Sequence, residues 1–378
     1  MAKTFLQHID PAFGPKRILS LDGGGIRGAL TLGYLKKIET ILREKENDPA
    51  LLLCDYFDLI GGTSTGSIIA AALAIGMEVD AIVKMYMDLG GKIFGQKHDW
   101  WKPWETMKFL KAGYDYKALE ENLKATFGDI TLGSDKIKTG LCIVAKRADT
   151  NSIWPLINHP DGKYFGEERG QNKNIPLWQA VRASSAAPTY FAPQMIDVGA
   201  GQQAAFVDGG VSMANNPSLT LLMVATLKGF PFKWDMSADK LSVVSVGTGY
   251  SVFKKKVGEI EEAWLATWAQ SVPEMLMQDA SWQNQVVLQW LSQSPTANYM
   301  DAEMGTLKDD FIGGKPLIKY LRYNLPITEK DLNLLGLKKE FNHTDVASLI
   351  DMSNADNREL LYQLGVAASS KIEKSHFD

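Results

Sequence analysis

The chain has 378 residues, 45% of them hydrophobic and 22% charged, with a formal net charge of −4. This is an ordinary globular composition that can bury a sizeable core, in one large α/β domain or two smaller ones. The acidic balance excludes a protein that coats nucleic acid, the two cysteines (Cys54 and Cys142) exclude a disulfide framework, and no apolar run approaches the roughly 18 residues of a membrane span. Residues 1–20 lack the apolar core of a signal peptide. The expectation is a soluble, cytoplasmic protein whose membrane contact, if any, is peripheral.

Residues 1–15 are a polar lead-in. Residues 17–21 read as a first strand that runs into Asp22-Gly23-Gly24-Gly25-Ile26-Arg27-Gly28. An amphipathic helix follows over about 29–45, with Leu30, Tyr34, Ile38, Ile41 and Leu42 at helical spacing. Gly23, Gly25 and Gly28 satisfy the G-x-G-x-x-G dinucleotide fingerprint. A dinucleotide unit also wants a second strand ending in an acid about twenty residues on. Here that distance lands in a charged, helical stretch, 43–46. The other use of such a loop is a nest of backbone N–H groups for an anion or a developing oxyanion. Arg27 either braces this loop or attracts an anionic substrate, and Asp22 steadies it.

Residues 57–60 read as the end of a buried strand, and an Ala/Ile-rich helix runs to about Ile75. Between them, Gly62-x-Ser64-x-Gly66 fits the nucleophile elbow in its strand–turn–helix context. A serine on such a turn presents its hydroxyl, flanking glycines let backbones crowd close, and the helix that follows aims free N–H groups at a forming oxyanion. Ser67, in the first turn of that helix, is expected to cap or pack.

Further helices are expected over 79–89 and 116–127, and a strand over 138–145. The aromatic, basic stretch 94–104 reads as packing under a long loop, with a lid or membrane contact as the alternative. Residues 149–173 read as loop. A helix from Pro176 runs into small residues at 183–188. A short strand at 205–207 delivers Asp208-Gly209-Gly210, and Asn216-Pro217 opens another helix. A buried strand at 241–246 follows. Strands alternating with helices argue a largely parallel sheet with helices on both faces. After Lys254 the chain reads as mainly helical. Trp264, Trp268, Trp282 and Trp290 recur at helical spacing there and are expected to form a buried stripe. A last strand is expected over 317–324, and two closing helices over 329–335 and 344–371.

Taken together, residues 22–28, 62–66, 183–188 and 208–210 with Asn216-Pro217 resemble the patatin-like phospholipase family over about 17–222. The resemblance implies a three-layer α/β/α fold with a mostly parallel sheet, and a serine–aspartate dyad acting on fatty-acyl esters. Carried over, Ser64 is the nucleophile and Asp208 the base. Gly23, Gly24, Gly25 and Thr65 supply the oxyanion hole, and Arg27, Gly62, Gly66, Gly209 and Gly210 support it. Residues 15–250 are assigned to the catalytic domain and 251–378 to a helical extension with a lid, regulatory or oligomerisation role. Bacterial members include anti-phage effectors switched on by a cyclic nucleotide, so such an activator and a homo-oligomer enter as candidate partners beside the phospholipid substrate. No metal or organic cofactor is expected, and no nucleic-acid partner.

The histidines point the same way. None of the five (His8, His98, His159, His343, His376) adjoins a glycine-rich strand end, and His159 alone is a triad candidate. A histidine-free base fits better. The competing reading is a nucleotide- or signal-binding module that grips phosphates with the glycine loop and has no hydrolase activity.

Overall fold

In the first strand Ile18 packs into one apolar cluster while Leu19 and Leu21 pack into another, and all three are fully buried. A strand that is apolar on both faces needs a layer of helices on each. The computed structural model has that architecture. It describes residues 3–93, 116–166, 170–188, 190–199, 201–252, 257–258 and 265–378.

The strands are β1 (Lys16–Leu21), β2 (Leu59–Thr63), β3 (Gly140–Arg147), β4 (Ser152–Ile157), β5 (Gln194–Asp197), β6 (Gln203–Asp208), β7 (Leu241–Val246), β8 (Ser292–Gln293) and β9 (Ile318–Tyr323). They form one sheet in the order β5-β6-β3-β2-β1-β7-β9-β8, with β4 also paired to β3. From β3 to β8 every neighbouring pair is parallel. The antiparallel pairs are β3 with β4, β3 with β6, and β5 with β6. The helices that matter for the site are α1 (Gly28–Glu46), α2 (Thr65–Ala74), α3 (Val79–Ile93), α4 (Leu177–Ser184), α5 (Ser218–Thr226), α6 (Leu265–Trp290) and α7 (Arg358–Ala368). Residues of α1, α2, α3, α4 and α7 build the cluster on one face, and α5 contributes Leu221, Leu222, Val224 and Ala225 to the other.

Several expectations change. The stretch read as loop contains β4, in which Pro155 lies opposite Val144. A proline cannot donate to a ladder and so hides a strand in the sequence. The strand β5 was not expected either. The last strand expected over 317–324 is β9; the short β8 beside it was not expected, and α7 packs against α1. The long closing helix is split into His343–Ile350 and α7. At the break, Asp351 accepts from Ser353 N–H at 2.9 Å and Asn354 from Asp356 N–H at 3.3 Å. Short polar side chains of this kind compete with the helix for its own backbone.

The tryptophan stripe is the largest correction. Trp268, Trp282 and Trp290 are exposed, although Val286, four residues from both Trp282 and Trp290, is buried. Val272, Met275 and Leu276 are exposed with them, while Asn284, Leu288 and Gln289 face the body. Helical periodicity identifies a face, but not whether the face points in. Trp264 and the stretch 94–104 lie outside the described residues. Among the described residues no helix is long and apolar enough to cross a membrane.

Candidate active site

The sheet's pairing brings Ser64 and Asp208 together. β2 runs parallel to β3 and ends with Thr63 opposite Val144. β6 approaches along the same edge from the other direction and ends with Asp208 opposite Ala145, the next residue of β3. The two strand ends therefore meet head to head. Ser64 Oγ donates to Asp208 Oδ2 at 2.6 Å, across 144 residues of sequence. The parallel strands point their carboxyl ends at this spot, where open α/β sheets place their sites.

Ser64 adopts φ +53° and ψ −124°, between β2 and α2. A non-glycine residue with positive φ is strained and persists only where its surroundings hold it. Ser184, at the end of α4, does part of this. Its Oγ accepts from Ser64 N–H at 2.9 Å and donates to the Val144 carbonyl at 2.6 Å, filling the seam between the strand ends. Ser67 donates to the Ser64 carbonyl at 2.6 Å, so it braces the elbow rather than competing as a hydroxyl. Gly62 and Gly66 sit back to back. A Cβ on Gly62 would fall 2.2 Å from the Gly66 backbone, and one on Gly66 would fall 2.3 Å from the Leu21 carbonyl.

Asp208 is buried, and its other oxygen accepts from Gly210 N–H at 2.7 Å. Burial pushes its carboxyl up to about 6, opposed by the Ser64 and Gly210 bonds and the nearby Arg182 charge. A carboxylate near 6 is a better base than a free aspartate near 3.9 and is still ionised at neutral pH. The turn motif by itself does not encode this burial.

The glycine loop lies beside the elbow: a Cβ on Gly23 would fall 2.5 Å from Asn215 Oδ1 and 3.2 Å from Ser64 Cβ. Gly23 N–H donates to the Asn215 carbonyl at 3.0 Å, which removes it from the expected oxyanion donors. The N–H groups of Gly24, Gly25 and Thr65 have no partner among the described residues. Gly209 and Gly210 form the tight turn after Asp208. His159 accepts from Asp161 N–H at 3.1 Å within its own loop, and burial lowers its proton affinity. Arg27 heads α1 and is half-buried. Its charge and that of Arg322 both act on Asp22.

Arg322 was not singled out from the sequence. It sits on β9, in register with Ser245 of β7, which is in register with Ser20 of β1. Its guanidinium donates to both Asp22 oxygens, at 2.9 and 2.6 Å, and to Ser245 Oγ at 2.6 Å. Burial pushes the Asp22 carboxyl up, and the Arg322 charge and hydrogen bonds oppose it. Ser218 Oγ joins this row, 3.0 Å from Ser20 Oγ, 2.8 Å from Ser245 Oγ and 2.5 Å from Asn216 Oδ1. Asn284 of α6 donates to the carbonyls of Met213 and Asn216, at 2.9 and 3.0 Å, and so fixes the loop after Asp208. The Met352 carbonyl, freed by the helix break, accepts from Ile26 N–H at 2.8 Å. A lone arginine in a buried strand was the available signal for Arg322. Asn284 and Met352 carry none. Among the described residues, no cluster of three or more His, Cys, Asp or Glu is placed to hold a metal ion.

A family model described as patatin-like phospholipase matches residues 19–222. The chain is 36% identical over 213 residues to a cGAMP-activated phospholipase of Vibrio cholerae, covering 53% of this chain and 55% of that protein. It is 31% identical over 242 residues to a cGAMP-activated phospholipase of Escherichia coli, covering 61% and 62%. It is 28% identical over 267 residues to patatin-17 of Solanum cardiophyllum, covering 66% and 64%. The matches thus span less than two thirds of each of these relatives. With the family model matching more than half of its length, the chain belongs to the patatin-like phospholipase family.

Proposed function

We propose that the protein is a lipid acyl hydrolase that cleaves fatty-acyl esters of phospholipids through Ser64 and Asp208. The observation that carries this reading is the 2.6 Å contact between a strained, half-buried serine and a buried carboxylate. Ser64 Oγ attacks the ester carbonyl carbon while Asp208 Oδ2 accepts its proton. The carbonyl oxygen gathers negative charge and is held by the N–H groups of Gly24, Gly25 and Thr65. Collapse of this intermediate expels the alcohol, which takes the proton from Asp208, and leaves an acyl group on Ser64. Water then attacks the acyl carbon with Asp208 again as base. Pre-aimed donors of this kind are each worth about 10²–10³ in rate.

We further propose that catalysis is switched on by a cyclic nucleotide, as the names of the two bacterial relatives state for those proteins. Exposed Val211 and Met213, close behind Asp208, give the site an apolar rim that suits peripheral contact with a bilayer.

The test is hydrolysis of a short-chain p-nitrophenyl ester and of phospholipid vesicles by wild type, Ser64→Ala and Asp208→Asn, with and without cyclic dinucleotides. Loss of activity in both variants supports the dyad. Activity that survives Ser64→Ala overturns it. A rate that no nucleotide changes overturns the switch alone.

A further inference from the structure

The oxyanion donors proposed above come from two pieces of chain that are not neighbours in sequence. Gly24 and Gly25 belong to the loop after β1. Thr65 belongs to the elbow after β2. Their spacing decides whether they converge on one oxygen, and the pairing of β1 with β2 ends before either loop begins, at Leu21 opposite Gly62. Something else must hold the two loops in register.

Tyr86 of α3 lies at that junction. Its side chain is buried, 3% exposed, and its hydroxyl donates to the Gly25 carbonyl. Thr65 Oγ1 lies 2.6 Å from the same hydroxyl. A phenol has one proton to give. The Gly25 carbonyl can only accept, so the Tyr86 proton is committed to it. The Thr65 hydroxyl is therefore the donor to Tyr86. The chain of bonds runs in one direction, from elbow to tyrosine to glycine loop. Gly28 makes room for it, since a Cβ there would fall 2.6 Å from both Thr65 Oγ1 and Tyr86 Oη. The last glycine of the G-x-G-x-x-G pattern thus has a role that needs no dinucleotide.

We infer that Tyr86 is a positioning residue of the oxyanion hole: its hydroxyl ties Thr65 to Gly25 and so sets the distance between the donors on the two loops. Among the described residues its hydroxyl bonds neither Ser64 nor Asp208, so it acts through the donors. The inference rests on the hydrolase reading of the site.

Tyr86→Phe keeps the ring and removes the bridge. Its signature is a fall in kcat at unchanged KM, because a misplaced donor weakens the transition state more than the bound ester. Misplacement on this scale costs about 10- to 100-fold. The second readout is the rate of labelling by a neutral fluorophosphonate. There Ser64 Oγ bonds to phosphorus, the P–F bond breaks, fluoride leaves and Asp208 takes the serine proton, while the phosphoryl oxygen occupies the hole. Labelling should slow by the same factor, and the pH midpoint of labelling should stay where wild type has it, since Asp208 is untouched. Thr65→Val cuts the bridge from its other end and serves if Tyr86→Phe does not fold. Thr65→Ser, which keeps a hydroxyl, should recover part of what Thr65→Val loses. The double variant should be no slower than the worse single one. A Tyr86→Phe or Thr65→Val protein that melts like wild type and labels at the wild-type rate overturns the inference and leaves the dyad standing. A wild type that fluorophosphonate never labels at Ser64 overturns the hydrolase reading, and the inference with it.

Discussion

Replacing Asp208 by asparagine should make the protein more stable as it destroys the activity. In the folded state burial raises the Asp208 carboxyl from 3.8 to about 6. The fold therefore binds that proton more tightly than the unfolded chain does, and stability falls as pH rises from 3.8 to 6. At pH 7 the ionised carboxylate costs about 3 kcal/mol, from a shift of about two units at 1.36 kcal/mol each. At pH 4 most of that cost disappears, because the group is then largely neutral in the folded state and partly neutral in the unfolded one. Asparagine has nearly the same shape and no charge. Its oxygen still accepts from Gly210 N–H, and its amide can donate to Ser64 Oγ. An unfolding entropy near 2.1 cal/mol/K per residue gives about 0.8 kcal/mol/K for a chain of this length, so the gain should raise Tm by about 4 °C at pH 7. Calorimetry of wild type and Asp208→Asn at pH 7 and pH 4 measures it. An Asp208→Asn protein that melts below wild type at pH 7, or that gains equally at both pH values, would refute the account of Asp208 as a carboxylate held against its solvation.

Three further outcomes follow from the same geometry. Acylation requires ionised Asp208, so kcat/KM should fall about tenfold per pH unit below about pH 6; an acid limb near pH 4 would mean an ordinary, solvated carboxylate. Arg322→Met leaves Asp22 without its buried partner and should cost about 3–5 kcal/mol in chemical denaturation. Adding Asp22→Asn should return much of that loss, and a double variant as unstable as Arg322→Met alone would count against the pair. Gly66→Ala should destabilise by about 1–3 kcal/mol through overpacking against the Leu21 carbonyl, although alanine is the better helix former by about 1 kcal/mol. A stabilised Gly66→Ala protein would show that the strand and helix do not approach so closely.

The sequence was most legible where chemistry and local structure coincide. The elbow needs glycine on both sides of Ser64 within one turn, so Gly62 and Gly66 mark it in a five-residue window. Asp208 and its two glycines are equally local. The helices 29–45, 79–89 and 116–127 and the strand 241–246 were readable because their apolar periodicity runs over whole elements. What stayed hidden depends on partners far away in the chain. Tyr86 looks like any aromatic on an amphipathic helix until Gly25 and Thr65 arrive beside it. Arg322 meets Asp22 across 300 residues. Gly23 matched the family pattern, yet its N–H goes to Asn215, a bond no motif states. The tryptophans of α6 failed for a different reason: their spacing was right, but periodicity does not say which residues are covered, and here Asn284, Val286 and Leu288 are buried while the tryptophans are exposed.

The head-to-head meeting of β2 and β6 also bears on when the site comes into being. β6 pairs with β3 through only three residue pairs, and those contacts join segments about sixty residues apart. Loop closure of that kind is entropically costly and forms after local structure has consolidated. Arg322 enters later still in chain order, so a growing polypeptide that already contains Ser64 and Asp208 holds Asp22 without the guanidinium that pairs with both its oxygens. Competence to react is thus a property of the finished topology rather than of any fragment. Serine labelling can serve as a stopwatch for the last long-range step of folding, reporting a state that helix content alone would count as complete too early.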